Sequence, residues 1–183
     1  PHAVVQLSQE LAFYRNVLNI SGDPLIGLRI GAGYHLAHYG MWGFAMMSAP
    51  SFRQTLAIAL RFISLTFTFF AYSIEEKANE VTMAIDPLGD YGNCNQLLID
   101  REIAAAYALF GQVLDTKFPL NRVDVTHRSP RNSRRYRDHY GCDVTFGSDR
   151  TRFSFPRELL DATPRGNNPS TAEFCTQQCE FLV

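Results

Sequence analysis

Residues 39–65 read YGMWGFAMMSAPSFRQTLAIALRFISL, and this stretch decides the fold. It opens with an aromatic segment that glycines interrupt, and it breaks at Pro50. Ser51 is suited to cap a following helix, because its hydroxyl can accept a hydrogen bond from a backbone N–H of the first turn, and Gln54 completes a weak capping box. Apolar residues then recur at helical spacing: Leu56, Leu60 and Ile63. The stretch therefore predicts an amphipathic helix that begins at Ser51.

Two further helices are predicted before this stretch. Val4–Ile20 has apolar residues three and four positions apart, and Gly22 suits the left-handed position that ends a helix. A second, shorter helix is expected from Pro24 to about Ile30. The spacing of Gly27, Gly31 and Gly33 resembles that of a phosphate-binding loop, but no strand precedes these glycines and no G-K-S/T follows them. Close packing of this helix against a neighbour is the better interpretation.

After residue 65 the apolar period changes from 3.6 to 2, which is typical of strands. Leu65, Phe67 and Phe69 alternate with threonines and predict a strand, and the charged segment Glu75–Glu80 predicts a turn into a second strand. The pair would form a hairpin. The remaining predicted elements are a long helix (Gln96–Leu114), a strand (Asn121–His127), a short helix (Ser133–Tyr140), two strands (Asp143–Phe146 and Arg152–Phe155) and a closing helix (Thr171–Leu182).

This order of elements predicts an α+β domain, with an antiparallel sheet of about five strands covered on one face by helices and a helical N-terminal part. Alternation along the strands places most apolar side chains on one sheet face. That face is predicted to hold Leu65, Phe67, Phe69, Val81, Met83, Ile85, Val123, Val125, Val144, Phe146, Phe153 and Phe155. Phe70 and Tyr72 are the exceptions on the polar face, where large apolar groups indicate an interface or a covering segment.

The composition is that of one domain spanning residues 1–183. Seventeen basic and eighteen acidic residues give a formal net charge of −1, which does not favour a module that binds duplex nucleic acid. Four scattered cysteines, without a C-x-x-C pair or a histidine at zinc spacing, predict no metal site and no disulfide framework. No signal peptide or membrane span is recognisable. We expect a soluble cytoplasmic domain without a membrane partner.

Four segments occur in an order that resembles a known family. They are GDPLIGLRIG (22–31), YGMWGFAMMSAPSFRQTL (39–56), VDVTHRSP (123–130) and YRDHYGCDVTF (136–146). From about Leu7 to Leu182 the chain resembles the N-terminal effector-binding, arabinose-binding-like domain of AraC-type transcription regulators. The resemblance implies a regulatory domain that senses a small-molecule effector, pairs as a homodimer and controls DNA binding. The family's C-terminal pair of helix-turn-helix motifs has no counterpart here, so DNA contact is expected only through that missing domain.

The sequence contains no recognisable catalytic motif. It lacks a G-x-S-x-G elbow, an H-E-x-x-H pair and paired metal carboxylates, so we predict a protein that is not an enzyme and uses no cofactor. His127 continues the apolar face of its predicted strand. It is either a core histidine that hydrogen-bonds to a neighbour or a polar anchor at the mouth of a ligand cavity.

An effector cavity is expected between the apolar sheet face and residues 39–65. The predicted ligand-binding residues are Tyr39, Trp42, Phe44, Phe67, Phe69, His127 and Phe146. The chain shows no cluster of carboxylates and amides around an aromatic platform, so arabinose is not predicted as the effector. Two other functions stay open: a ligand-free dimerisation module with a completely filled core, and a small enzyme that uses His127.

Overall fold

The computed structural model describes residues 6–66 and 68–183, and within them the chain forms seven α-helices and a five-stranded sheet. The helices are α1 (Leu7–Ser21), α2 (Ile26–Ala32), α3 (Gly40–Ser48), α4 (Phe52–Arg61), α5 (Asn95–Leu114), α6 (Arg134–Tyr140) and α7 (Pro169–Glu180). The strands are β1 (Phe70–Glu76), β2 (Glu80–Pro87), β3 (Arg122–Val125), β4 (Asp143–Phe146) and β5 (Arg152–Pro156). The predicted α+β fold class is confirmed.

The sheet has the strand order β1-β2-β5-β3-β4 and is mostly antiparallel. The pair β3–β4 is parallel, which differs from the fully antiparallel sheet that the sequence suggested. Parallel neighbours need a crossover connection, and α6 supplies it between these two strands. The short helix that the sequence predicted over residues 133–140 is therefore what allows β4 to lie alongside β3.

The start of the first strand differs from the prediction. Residues Ile63–Leu65 form a 3-10 helix, and β1 begins only at Phe70. Tyr72 pairs with Ile85 and therefore shares the apolar face with it, so its assignment to the polar face was wrong, as was that of Phe70. A shift of one residue along a strand exchanges the two faces. Phe67 lies outside the described residues.

Leu65 and Phe69 were also predicted on the apolar face of the sheet, but both precede β1. Along β2, β3 and β5 the predicted apolar face is confirmed as the buried face. Val81 lies opposite Phe155, and Val123 lies opposite Phe153, with all four side chains almost fully buried. The opposite face is polar: Arg152 Nε donates to Asp124 Oδ2 at 2.8 Å across β5 and β3.

The helix predicted from Ser51 forms as expected, because the Ser51 hydroxyl accepts from the Gln54 backbone N–H at 3.3 Å. Its first residue, Phe52, is completely buried and joins an aromatic cluster between α4, α5 and the sheet. The Phe52 ring lies 5.1 Å from Phe110, 5.4 Å from Phe118 and 5.9 Å from Phe155, measured between centroids. This cluster holds α4 and α5 against β5.

Helix α3, over residues 40–48, was not predicted. Its segment is apolar on nearly every side, so it lacks the amphipathic period that indicates a helix. Within the described ranges 6–66 and 68–183, none of the helices combines the length and hydrophobicity that a membrane span requires.

Helices α2 and α5 pack so closely that two glycines of α2 touch the α5 backbone. A Cβ atom added at Gly31 would lie 2.2 Å from the Arg101 carbonyl oxygen, and one added at Gly27 would lie 2.3 Å from that of Leu97. The interpretation of these glycines as helix-packing residues is thereby confirmed. The contact also fixes the part of α5 that carries Arg101.

We predict that Gly31→Ala lowers the free energy of unfolding by ~1–3 kcal/mol, because the added methyl group forces α2 away from α5. Chemical denaturation measures the change. Gly33→Ala is the matched control, since its added Cβ would meet nothing closer than 3.4 Å. Equal stability of the two variants would contradict the close packing.

Candidate ligand-binding cavity

A cavity of about 300 Å³ lies between the apolar sheet face, α5 and residues 39–65. Its walls are mostly aliphatic and aromatic, and charged groups gather in one part of its lining. The lining residues are Glu10, Tyr34, Leu36, Tyr39, Trp42, Met46, Ala59, Leu60, Ile63, Leu65, Thr66, Tyr72, Met83, Arg101, Glu102, Ala105, Ala106, Leu109, Phe110 and Val113. An apolar pocket with a few convergent polar groups is the usual form of a small-molecule site.

Three aromatic rings form a continuous wall of the cavity. Tyr34 stacks on Tyr39 at 6.2 Å between ring centroids, and Tyr39 meets Trp42 edge to face at 5.0 Å. Gly43 makes this arrangement possible, because a Cβ there would lie 2.0 Å from the Leu36 carbonyl oxygen and would push α3 away from the preceding turn. The Trp42 Nε1–H donates to the Ile58 carbonyl at 3.4 Å, which ties α3 to α4.

The charged part of the lining is organised around Arg101, whose side chain is only 3% exposed. Its Nη2 donates to Glu102 Oε2 at 3.0 Å, and its Nη1 donates to the Tyr14 hydroxyl and lies 3.4 Å from Glu10 Oε1. The Tyr72 hydroxyl donates to the other Glu102 oxygen. Side chains from α1, α5 and β1 are thus joined in one network.

The guanidinium also packs against two aromatic rings. Its central carbon lies 5.0 Å from the centre of the Tyr14 ring and 5.2 Å from that of Phe69. Such cation–π contacts add to the stabilisation of a charge that is removed from water. Phe69, a predicted ligand-binding residue, therefore packs against the Arg101 guanidinium and is not one of the residues that line the cavity.

Burial and charge fix the protonation of this network. Burial alone would lower the pKa of Arg101, but the Glu102 carboxylate and the Tyr14 hydroxyl raise it above its ordinary value, so the guanidinium stays charged. Burial, followed by the charge of Glu102, raises the pKa of Tyr72, which therefore remains a hydrogen-bond donor. Burial also raises the pKa of Glu10, and Arg101 partly offsets that effect.

The structure brings only some of the predicted ligand-binding residues together. Tyr39 and Trp42 line the cavity. Phe44 is 48% exposed and does not line it, and Phe67 lies outside the described residues. His127 and Phe146 lie apart from the cavity, with their rings 5.6 Å from each other. The assignment of these seven residues to ligand binding stays a prediction.

His127 belongs to a separate buried cluster around Asp100. Its Nε2 lies 2.9 Å from Asp100 Oδ1 and its Nδ1 lies 3.1 Å from the Arg128 carbonyl oxygen. Both neighbours can accept hydrogen bonds, so this arrangement favours the imidazolium form, in which both ring nitrogens carry protons. Burial lowers the pKa of His127, but the hydrogen bond and charge of Asp100 outweigh burial and raise it. The Tyr136 hydroxyl donates to the second oxygen of Asp100.

Sequence reasoning missed the charged residues that organise the cavity. A signal was present: Asp100, Arg101 and Glu102 are three consecutive charged residues inside a helix that is otherwise largely apolar. Buried charges of this kind are retained where they are paired or functional. In the part of the chain that the structure describes, no group of three or more His, Cys, Asp or Glu side chains could hold a metal ion.

Comparison with known proteins finds similarity to one regulatory domain family and to several transcription regulators. A family profile described as the arabinose-binding domain of AraC transcription regulator, N-terminal, matches residues 1–163. An uncharacterised HTH-type transcriptional regulator of Mycobacterium tuberculosis is 28% identical over all of this chain and 55% of its own length. The ornithine utilization regulator of Pseudomonas aeruginosa is 23% identical over 90% of this chain and 48% of its own length. The chain spans about half the length of these curated relatives.

A solved structure shares the fold. The crystal structure of the transcriptional regulator CdpR from Pseudomonas aeruginosa superimposes with a TM-score of 0.75 at 20% sequence identity. The match covers 96% of this chain and 62% of that protein's chain. At this identity the likeness concerns the fold.

We predict that Arg101→Met lowers the free energy of unfolding by ~3–5 kcal/mol, because two carboxylates at the cavity would lose the cation that pairs with them. Arg137→Met is the control and should cost ~0–1 kcal/mol, since its ion pair with Asp143 is largely exposed. Urea denaturation compares the two. A similar, small loss for both variants would show that the Arg101 network is not required for stability.

A second prediction concerns pH. The folded-state pKa of His127 is raised above 6.5, so its contribution to stability is complete below about pH 6.5 and is lost as the pH rises through the raised value. The unfolding free energy of wild type minus that of His127→Gln should therefore fall as the pH increases. Taking this difference removes the opposite effect of His139, whose pKa burial lowers. A difference that is constant between about pH 5 and pH 9 would contradict the charged His127–Asp100 pair.

Proposed function

Because the chain belongs to the family of N-terminal arabinose-binding domains of AraC transcription regulators, we propose that it senses a small-molecule effector and thereby controls the DNA binding of a full-length regulator. The effector occupies the cavity between residues 39–65, α5 and the sheet. DNA is bound by a separate helix-turn-helix domain of that regulator. The domain acts in the cytoplasm as a homodimer.

The cavity is the observation that carries this proposal. Its volume of about 300 Å³ falls at the lower end of the range of ligand sites, roughly 300–1,000 Å³. A module that served only for dimerisation would be expected to fill its interior, because protein cores are close-packed. Here the three-ring wall and the Arg101 network line a cavity instead.

The effector would act by favouring one arrangement of the helices around it. Trp42 and Met46 of α3 line the cavity, and α3 also packs along α7, where the Asn168 backbone N–H donates to the Ser48 carbonyl at 2.9 Å. A ligand that contacts α3, α4 and α5 together can bias how α7 is held. Such a shift requires only that the effector bind one arrangement more tightly than another.

We further propose that the chain is not an enzyme. His127, the catalytic candidate from the sequence, has a side chain that is 9% exposed, and hydrogen-bond acceptors contact both of its ring nitrogens. It does not line the cavity. A structural role in holding β3 and α6 against α5 accounts for its contacts.

The proposal is tested by filling the cavity. Ala59→Leu places a larger side chain in the cavity, whereas Ala57→Leu, two residues earlier in the same helix, points into an exposed groove against α7. Trp42 is the only tryptophan and lines the cavity, so its fluorescence reports on binding. We expect members of a metabolite library to change the fluorescence of wild type and Ala57→Leu, and to lose affinity by about tenfold or more for Ala59→Leu.

Size-exclusion chromatography with light scattering completes this test. All three proteins should remain dimers, because the substitution affects the cavity and not the pairing. A library without any ligand for wild type, together with a stable dimer, would favour the ligand-free dimerisation module. A ligand that binds Ala59→Leu as tightly as wild type would place the effector site elsewhere.

A further inference from the structure

The charges that line the cavity do not balance. Glu10 and Glu102 contribute two carboxylates, whereas Arg101 contributes one guanidinium. The side chains of the two glutamates are 18% and 16% exposed, so solvent screens them only in part. One negative charge at the cavity wall is therefore left without a cationic partner among the residues of this network.

The guanidinium offers little to a negatively charged ligand. Both of its Nη atoms already donate, to Glu10, Glu102 and the Tyr14 hydroxyl, and its central carbon packs against the rings of Tyr14 and Phe69. A ligand carboxylate would have to displace a glutamate and leave that glutamate partly buried without its partner. Separating a buried charge pair in this way is costly.

The rest of the cavity complements a cation on an apolar body. The rings of Tyr34, Tyr39 and Trp42 form one wall, and aromatic rings attract ammonium groups that lie over their faces. Among the described residues, the hydroxyl groups of Tyr34 and Tyr39 have no hydrogen-bond partner, so they can accept from a ligand N–H. Aliphatic residues such as Leu60, Leu109 and Val113 line other parts of the cavity.

We propose that the effector is a small organic cation, a protonated amine on an apolar body, whose ammonium group lies beside the Glu10 and Glu102 carboxylates. This inference rests on the proposed sensing function and names the chemical class of its ligand. The ammonium group would supply the cationic partner that one of the two carboxylates lacks. Its charge would also lower the pKa of Glu10 and so oppose the effect of burial, which raises that pKa.

Four probes of defined charge test the inference: hexylamine, hexanol, hexanoate and L-arabinose. Near neutral pH the first is a cation, the third is an anion and the other two are neutral. Titration of each probe against Trp42 fluorescence gives its affinity, and Ala59→Leu shows whether the probe binds in the cavity. We expect hexylamine to bind at least about tenfold more tightly than hexanoate, as one charge-assisted hydrogen bond provides. L-Arabinose should bind most weakly, because the cavity has too few polar groups to replace its hydration.

Two variants test whether the Glu10 and Glu102 carboxylates bind the ammonium group. Glu102→Gln and Glu10→Gln keep the side-chain shape but remove the charge, and each should weaken hexylamine binding by about tenfold while leaving hexanol binding unchanged. Glu158→Gln is the control, since Glu158 is exposed and lies outside the cavity lining. Thermal denaturation of each variant confirms that it is folded, and where one of the two fails this check the other supplies the comparison.

The results separate this inference from the proposed function. Preference for hexanoate, or hexylamine affinity that neither glutamate variant changes, overturns the cationic class but leaves effector sensing intact. Absence of binding by every probe overturns the inference. If the metabolite library also yields no ligand, effector sensing is overturned with it.

Discussion

A positive charge at Arg101 is held where water has almost no access, and the arrangement around the cavity depends on how that charge is paired. A buried charge is tolerated only with close partners of opposite sign and with hydrogen bonds. Arg101 receives them from Glu10 and Tyr14 in α1 and from Glu102 in its own helix, and Glu102 in turn binds Tyr72 in β1. One side chain thereby connects the N-terminal helix, the central helix and the edge of the sheet.

The same turn of α5 also contributes Asp100 to the second buried cluster, which contains His127 and Tyr136. Successive residues on a helix point about 100° apart, so Asp100 faces His127 and Tyr136 while Arg101 and Glu102 face the cavity. Gly31 of α2 contacts the backbone of this turn directly. A ligand that rearranges Glu102 therefore acts on a segment whose position also affects α2, α6 and the end of β3. This is a physical route by which occupancy of the cavity can reach distant surfaces of the domain.

Local patterns predicted most of the fold and the place of the cavity beside residues 39–65, including Tyr39 and Trp42 in its lining, but not the charged residues that line it. Ser51, the alternation through Val81, Met83 and Ile85, and the long helix to Leu114 all signal their structures within a few residues. The start of β1 was misplaced because a 3-10 helix over Ile63–Leu65 imitates the first step of an alternating strand, and this moved Tyr72 to the wrong face. The cavity joins residues 10, 42, 72 and 101, which only the tertiary fold brings together.

Native mass spectrometry of the purified chain tests the central claim, that this domain is an effector sensor, most directly. It reads the number of subunits and any retained small molecule in one spectrum. The account predicts a dimer that carries, after exposure to cell extract, an additional small-molecule mass that wild type retains and Ala59→Leu loses. A chain that stays free of any small molecule, or one whose adduct survives Ala59→Leu unchanged, would contradict it.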